Sequence, residues 1–236
     1  MKKFNLSINK IIIILFLSIK PLHSAEMTDP IKVDWSFKGL TGTFDRASLQ
    51  RGFQVYKEVC SSCHSMQYLS YRNLGESGGP EFTEAEVKAI AASFEVTDGP
   101  DNQGEMFTRP GRPSDMFVSP HPNKEAAAAA NGGAYPPDMS VLVKARKGGA
   151  NYIYSVLVGY EDPPPGVTLD QGVYYNKYMI GNKIKMPNNL EDGLIEYADG
   201  TVSTVDQMAN DVTTFLALAD EPELEERHRT GVKVII

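Results

Sequence analysis

Apolar residues recur at helical spacing at Leu49, Phe53, Tyr56 and Val59, and predict an amphipathic helix that runs straight into Cys60. Thr83 followed by Glu86 has capping-box spacing and predicts a second short helix through Phe94. Asn123 is placed to cap the alanine run 126–130, which stops at Asn131-Gly132-Gly133. Asp138 predicts the start of a fourth helix to about Lys147, which Gly148 and Gly149 break before a fifth from Asn151 to Val158. The chain then turns irregular through Pro163-Pro164-Pro165-Gly166, and periodicity returns only at Thr204. There Thr204-x-x-Gln207 repeats the capping-box spacing and opens a last helix to about Ala219, with Val205, Met208, Val212, Phe215 and Leu216 on one face. No internal repeat and no nucleotide-type glycine fingerprint interrupts this pattern. It predicts a mainly α domain with long irregular loops, of the kind in which a buried cofactor supplies part of the core.

The first residues carry a different signal. Lys2, Lys3 and Lys10 precede the apolar run Ile11 to Leu17, and the small residues Ser24 and Ala25 follow, which is the layout of a secretory signal peptide over residues 1–25. The apolar run is short for a membrane span, and His23 sits where a small residue is preferred before cleavage after Ala25. The expectation is removal and a periplasmic destination in a bacterium. Removal takes away four lysines and no acid, so the formal charge moves from −7 to −11. An acidic domain is poorly suited to nucleic acid or anionic lipid and well suited to a basic macromolecular partner. The remaining length suits one domain with its own core, residues 26–231.

The two cysteines of the chain both lie in Cys60-Ser61-Ser62-Cys63-His64. Cys-x-x-Cys-His is a c-type haem attachment site: two thiols three positions apart add to the two vinyl groups of one haem, and the adjacent imidazole reaches the iron. A structural zinc site needs four protein ligands, and beyond this motif only His121 and His228 remain in the mature chain. A dithiol redox motif calls for a βαβ context that the surrounding pattern lacks. One covalently attached haem c is therefore expected, with His64 as proximal metal ligand.

What fills the sixth iron position separates an electron carrier from a haem enzyme such as a peroxidase. Met66 lies close to His64, Met139 and Met208 fall in predicted helices where packing is the commoner role, and Met106 and Met116 precede the middle helices. Met179 and Met186 remain. Pro187 stiffens the backbone after Met186 and holds that residue extended, which suits a loop presenting a thioether, and this favours Met186 while Met179 stays open.

A first helix bearing the thiols and a last helix packed across it resembles a class I cytochrome c-like haem domain. A closer resemblance is carried by RGFQVYKEVCSSCHSMQYLSYRNL (51–74), RPGRPSDMF (109–117), NGGAYPPDMS (131–140), VKARKGGANYIYSVLVGYEDPPPGV (143–167) and ADGTVSTVDQMANDVTTFLALADEPE (198–223). These stretches are similar to the cytochrome c1 family, the haem subunit of the cytochrome bc1 complex. The resemblance implies Met186 as distal ligand, Arg146 as partner of a haem propionate, and Pro137 and Tyr152 as haem-lining residues. Physically, Arg146 also fits a solvated cation at a helix end, and Pro137 and Tyr152 also fit ordinary core packing. The family further implies an electron-transfer subunit that is no enzyme on its own. It would sit at the bacterial inner membrane with the haem domain on the periplasmic side, beside cytochrome b and the Rieske iron-sulfur protein, and would deliver electrons to a soluble cytochrome c. Glu81, Glu84, Glu86, Asp98, Asp101 and Glu105 are candidates for steering that partner.

Two features depart from the family pattern. Asn182-Lys183-Ile184-Lys185-Met186-Pro187-Asn188 has two lysines and a single proline, and is less apolar than a ligand loop of this family. The family also carries a C-terminal membrane helix, which Val232 to Ile236 would begin. A free periplasmic cytochrome c carrier is the rival function, distinguished by the absence of such an anchor in the complete gene.

Overall fold

A computed structural model describes residues 28–235; the expected signal peptide, residues 1–25, lies outside them. The frame is a pair of crossed helices. Helix α1, Arg46–Glu58, starts at Asp45, whose carboxylate accepts from Ser48 N at 2.8 Å, and it buries Leu49, Gly52, Phe53, Val55 and Tyr56. The last of the sequence-predicted helices, Val205–Asp220, is capped by Thr204 as its spacing implies, and every residue from Asp211 to Asp220 is buried. A helix buried on every face from Asp211 onward lies inside the domain.

The two helices meet backbone to backbone at Gly52. A Cβ there would stand 2.0 Å from the Asp211 carbonyl oxygen and 2.8 Å from Phe215 Cβ, so only glycine permits the crossing. Around it the rings of Phe53, Tyr56, Phe117 and Phe215 pack at centroid distances of 5.6 to 6.2 Å. The crossing is also fastened electrostatically. The fully buried Asp211 carboxylate accepts from Arg51 Nε (2.8 Å), Arg51 Nη2 (3.1 Å), Ser48 Oγ (2.7 Å) and Gln207 Nε2 (3.0 Å). Such saturation is what a buried charge requires.

The other helices follow their local signals where their caps stay local. Helix α2, Glu84–Ala92, has both halves of its capping box: Thr83 N donates to Glu86 and Glu86 N to Thr83 Oγ1. Helix α3, Lys124–Ala130, is capped by Asn123, and helix α4 spans Ala150–Val158. Numbered in chain order, the crossing helix Val205–Asp220 is α5.

The helix expected from Asp138 to about Lys147 does not form; this stretch is a succession of turns. Asp138 does accept from Ser140 N at 2.8 Å, in the manner of a cap. Its other oxygen is taken by Ser65 Oγ at 2.7 Å and Gln67 N at 3.0 Å, so the residue staples this stretch to the segment after the cysteines.

Two short antiparallel ribbons and one helix had no clear signal. Strand β1, Glu95–Asp98, pairs with β2, Phe107–Pro110, with Asp98 opposite Phe107, and Arg109 bridges Asp98 and Asp115 at 2.5 and 2.6 Å. Strand β3, Tyr174–Tyr175, pairs with β4, Lys183–Ile184. Helix α6, Leu224–Ile235, is held to the domain by Glu225, which accepts from Arg46 at 2.7 Å through both oxygens and from Phe44 N at 2.8 Å. Residues 232–235, the expected start of an anchor, continue α6. Among the described residues no helix is long and apolar enough to cross a membrane.

Candidate haem site

The proximal half grows out of the end of α1. Beyond Val59 the chain tightens into a single 3₁₀ turn, Cys60–Ser62, in which Cys63 N and His64 N both donate to Cys60 O, at 3.2 and 2.9 Å. Both cysteines are free. Cys60 is half-buried against the core, and burial of its thiol pushes the pKa up to about 12, with the Cys63 sulfur adding to the shift.

His64 is buried, and its Nδ1 lies 2.8 Å from the Pro137 carbonyl oxygen. A carbonyl only accepts, so Nδ1 carries the proton and donates, which leaves Nε2 with its lone pair for a metal. Burial lowers the imidazole pKa, outweighing the Pro137 bond and the Asp138 charge, and the ring is held in its neutral, ligating form. The Pro137 residue itself is exposed, and its carbonyl makes the contact with His64. Around this contact the two segments are laced together by Met139 N to Ser65 O (2.8 Å) and Tyr68 N to Ser140 Oγ (3.0 Å). For Asp138, burial raises the pKa, but the bonds from Ser140, Ser65 and Gln67 more than offset it, and the carboxyl is held below its ordinary value.

The methionines separate by environment. Met66, Met139 and Met208 are core residues, and Met106 and Met116 are exposed, at 60% and 54%. Met179 and Met186 are half-buried and pack against the main core, as does Cys60. The Met179 sulfur accepts from Tyr152 Oη at 3.2 Å, whereas the Met186 thioether has no hydrogen-bond donor among the described residues. The less apolar composition around Met186 resolves into alternation: Lys183 and Lys185 are exposed, while Ile184 is buried and Met186 half-buried. The lysines therefore face water and leave the inner side of the loop apolar.

Tyr152 is buried; burial raises its phenol pKa and the nearby charge of Arg146 opposes the rise. Arg146 is exposed and donates only to the neighbouring Ala145 carbonyl, at 3.2 Å, among the described residues. Arg146, Tyr152 and Met179 thus form one group, and Cys60, Cys63, His64 and Pro137 another.

The donor set fits a haem. Two free thiols on one turn, a neutral buried imidazole with Nε2 unprotonated and a half-buried thioether are the attachment and ligand chemistry that haem c needs. The candidate steering carboxylates are less open. Glu81 pairs with Arg46, Glu84 with Lys88 and Asp98 with Arg109, Glu86 serves the α2 cap, and Asp101 accepts from Gln103 N and Glu105 N. Sequence reasoning missed the Pro137 carbonyl and the Asp138 staple, because both contacts join residues 73 positions apart.

A family model described as the Cytochrome C1 family matches residues 35–236. The mitochondrial haem protein cytochrome c1-2 of Solanum tuberosum is 53% identical over 201 residues, covering 85% of this chain and 76% of the relative. Cytochrome c1 of Rhodospirillum rubrum is 50% identical over 221 residues, with 87% and 80% covered. Cytochrome b/c1 of Bradyrhizobium diazoefficiens is 47% identical over 243 residues, which is 94% of this chain and 35% of that longer protein.

Proposed function

The chain belongs to the cytochrome c1 family and carries covalently bound haem c, and on that premise we propose which of its residues hold the group. Cys60 and Cys63 form the two thioether links. His64 Nε2 is the proximal ligand and the Met186 thioether the distal one. Arg146 pairs with a propionate, and Pro137 and Tyr152 line the haem. Haem supplies a ferric/ferrous couple that takes and gives one electron. The observation that carries the assignment is the clamp of His64 Nδ1 on the Pro137 carbonyl, which points the free nitrogen of a buried, neutral ring away from the backbone on the turn that bears both thiols. Met186 is favoured over Met179 because the Met179 sulfur is already engaged by Tyr152.

The chain's role is electron transfer as the haem subunit of a cytochrome bc1 complex. Its residues make and break no substrate bonds; His64 and Met186 would hold the iron, and methionine ligation with burial would raise the potential. In the finer reading, the domain of residues 26–231 stands on the periplasmic side of a bacterial inner membrane after removal of residues 1–25. There it is attached to cytochrome b and held by an anchor beginning near Val232. It accepts electrons from a Rieske iron-sulfur protein and reduces a soluble cytochrome c. The acidic balance of the chain supports a basic acceptor.

The test is spectroscopic. Met186→Leu keeps the volume and removes the sulfur; the methionine–iron absorption at the red end of the spectrum is expected to vanish and the potential to fall. Retention of that band in Met186→Leu with its loss in Met179→Leu moves the ligand to Met179. Haem that extracts freely into acid-acetone refutes the thioether links.

A further inference from the structure

The segment that carries Met186 is held by contacts that the haem assignment does not require. It leaves helix α4 at Gly159, where a Cβ would lie 2.5 Å from Tyr178 Cδ2 and 3.1 Å from Asn176 Oδ1, so the returning chain is pressed against the end of that helix. Asn176, fully buried, donates from Nδ2 to the Val156 carbonyl at 2.8 Å and accepts from Tyr178 N at 3.1 Å. Lys177 N donates to Gly159 O at 2.9 Å, and Tyr160 and Asn176 form an isolated antiparallel bridge. The base of the loop is thereby registered on α4.

Ten residues beyond Asn176, one side-chain bond returns to the same anchor point: Tyr160 Oη donates to the backbone carbonyl of Met186 at 2.9 Å. We propose that Tyr160 is the positioning residue for the distal ligand, its phenol holding the Met186 carbonyl so that the thioether stays in reach of the iron; this rests on the assignment of Met186 above. The acceptor is the carbonyl of the ligand residue itself, so the bond restrains the position of that Cα and leaves the thioether unencumbered. Pro187, next in sequence, restrains the same residue from the other side. Tyr160 is half-buried, and its Oη reaches the Met186 carbonyl from the base of the loop. The arrangement parallels the proximal side, where a backbone carbonyl fixes His64. There the carbonyl orients the ligand; here the carbonyl is the ligand residue's own.

The experiment compares haem-loaded wild type, Tyr160→Phe, Tyr154→Phe and Met186→Leu, normalised to haem content. Cyanide binding to the ferric protein is read by stopped flow, because the distal thioether must leave before cyanide enters. Removing one hydrogen bond from the closed loop is expected to raise the cyanide association rate about five- to tenfold in Tyr160→Phe, with a weakened red methionine band and a lowered potential. Tyr154, on helix α4, donates to Asp206 and makes no hydrogen bond to Met186, so Tyr154→Phe loses a comparable hydroxyl and should bind cyanide at the wild-type rate. A wild-type rate and potential in Tyr160→Phe, or equal acceleration in Tyr154→Phe, overturns the positioning role while Met186→Leu still abolishes the band. Persistence of the band in Met186→Leu overturns both that role and the ligand assignment.

Discussion

Gly52→Ala sets two physical effects against each other with opposite signs. In the middle of an exposed helix the change should stabilise, since alanine is favoured over glycine by about 1 kcal/mol. At this crossing the added Cβ would stand 2.0 Å from Asp211 O, 2.6 Å from Asp211 C and 2.8 Å from Phe215 Cβ, where real Cβ contacts stay above 3.0 Å. Two of the three opposing atoms are backbone, so no rotamer change relieves the clash and α1 must move away from α5 by about 1 Å. Overpacking of this kind costs about 1–3 kcal/mol. Separation also stretches the bonds from Ser48 and Arg51 to Asp211, and a hydrogen bond to a charged group contributes about 1.5–3 kcal/mol. With the propensity gain subtracted, the expected net loss is about 3 kcal/mol, or a melting temperature lower by about 10 °C for a domain of this size. Thermal unfolding followed by far-ultraviolet circular dichroism measures it, and haem absorbance reports whether the Cys60–His64 turn, at the end of the displaced helix, is disturbed as well. A melting temperature at or above that of wild type would show that the crossing yields without strain and would refute the reasoning.

Asp211→Ala should cost about 3–5 kcal/mol because it takes from Ser48, the half-buried Arg51 and Gln207 their common buried acceptor, while Asp199→Ala, which removes the exposed partner of the same arginine, should cost less than about 1 kcal/mol; similar losses by chemical denaturation would contradict this. Because the Asp138 carboxyl is held below its ordinary value of 3.8, its contribution is complete above that pH and is lost as pH falls through the lower folded value. Acid titration followed at the main haem band should show a steeper loss below about pH 4 in wild type than in Asp138→Asn, and superimposable profiles would refute the staple. Oxidation of the reduced protein by a basic cytochrome c should slow as salt rises from tens to hundreds of millimolar, whereas delivery from a tethered Rieske domain should change much less; stopped-flow traces with equal salt dependence for both steps would exclude steering.

What the sequence made legible was decided by how far each signal had to reach. Asp45 aside, the caps at Thr83, Asn123 and Thr204 and the periodicity of α1 and α5 are contacts within four residues, and the structure contains each of them. Asp138 carries the same type of signal, yet its carboxylate found Ser65 and Gln67 across the fold, and the helix it seemed to open became turns. The strands of two and four residues are too short for alternation to register. Gly52 sits inside an apolar helical pattern where glycine is only a weak disfavour, and its necessity exists solely in the crossing with Asp211. In the candidate site, the cysteines and His64 are contiguous and were readable from chemistry alone. Arg146, Pro137 and Tyr152 came from resemblance, and nothing local in the sequence distinguishes the Pro137 carbonyl from any other.

This difference in reach also separates the two proposed iron ligands. His64 stands one turn from a thirteen-residue helix that is clamped at Gly52 and Asp211, so its position follows from the most heavily fixed element of the domain. Met186 arrives more than one hundred residues later, on a segment whose regular structure amounts to two-residue strands and a 3₁₀ turn. Such a segment has a large conformational entropy to lose, and short ribbons recover little of it. Fixing it therefore falls to individual residues: Asn176 at the base, Gly159 admitting the close approach, Tyr160 at the carbonyl and Pro187 restricting the backbone. A thioether is a weak ligand, and its hold on iron depends on how little the protein must reorganise to present it. The rigidity supplied by these few contacts, more than the polarity of the neighbouring lysines, is what would suit a loop of this composition to carry the proposed distal ligand.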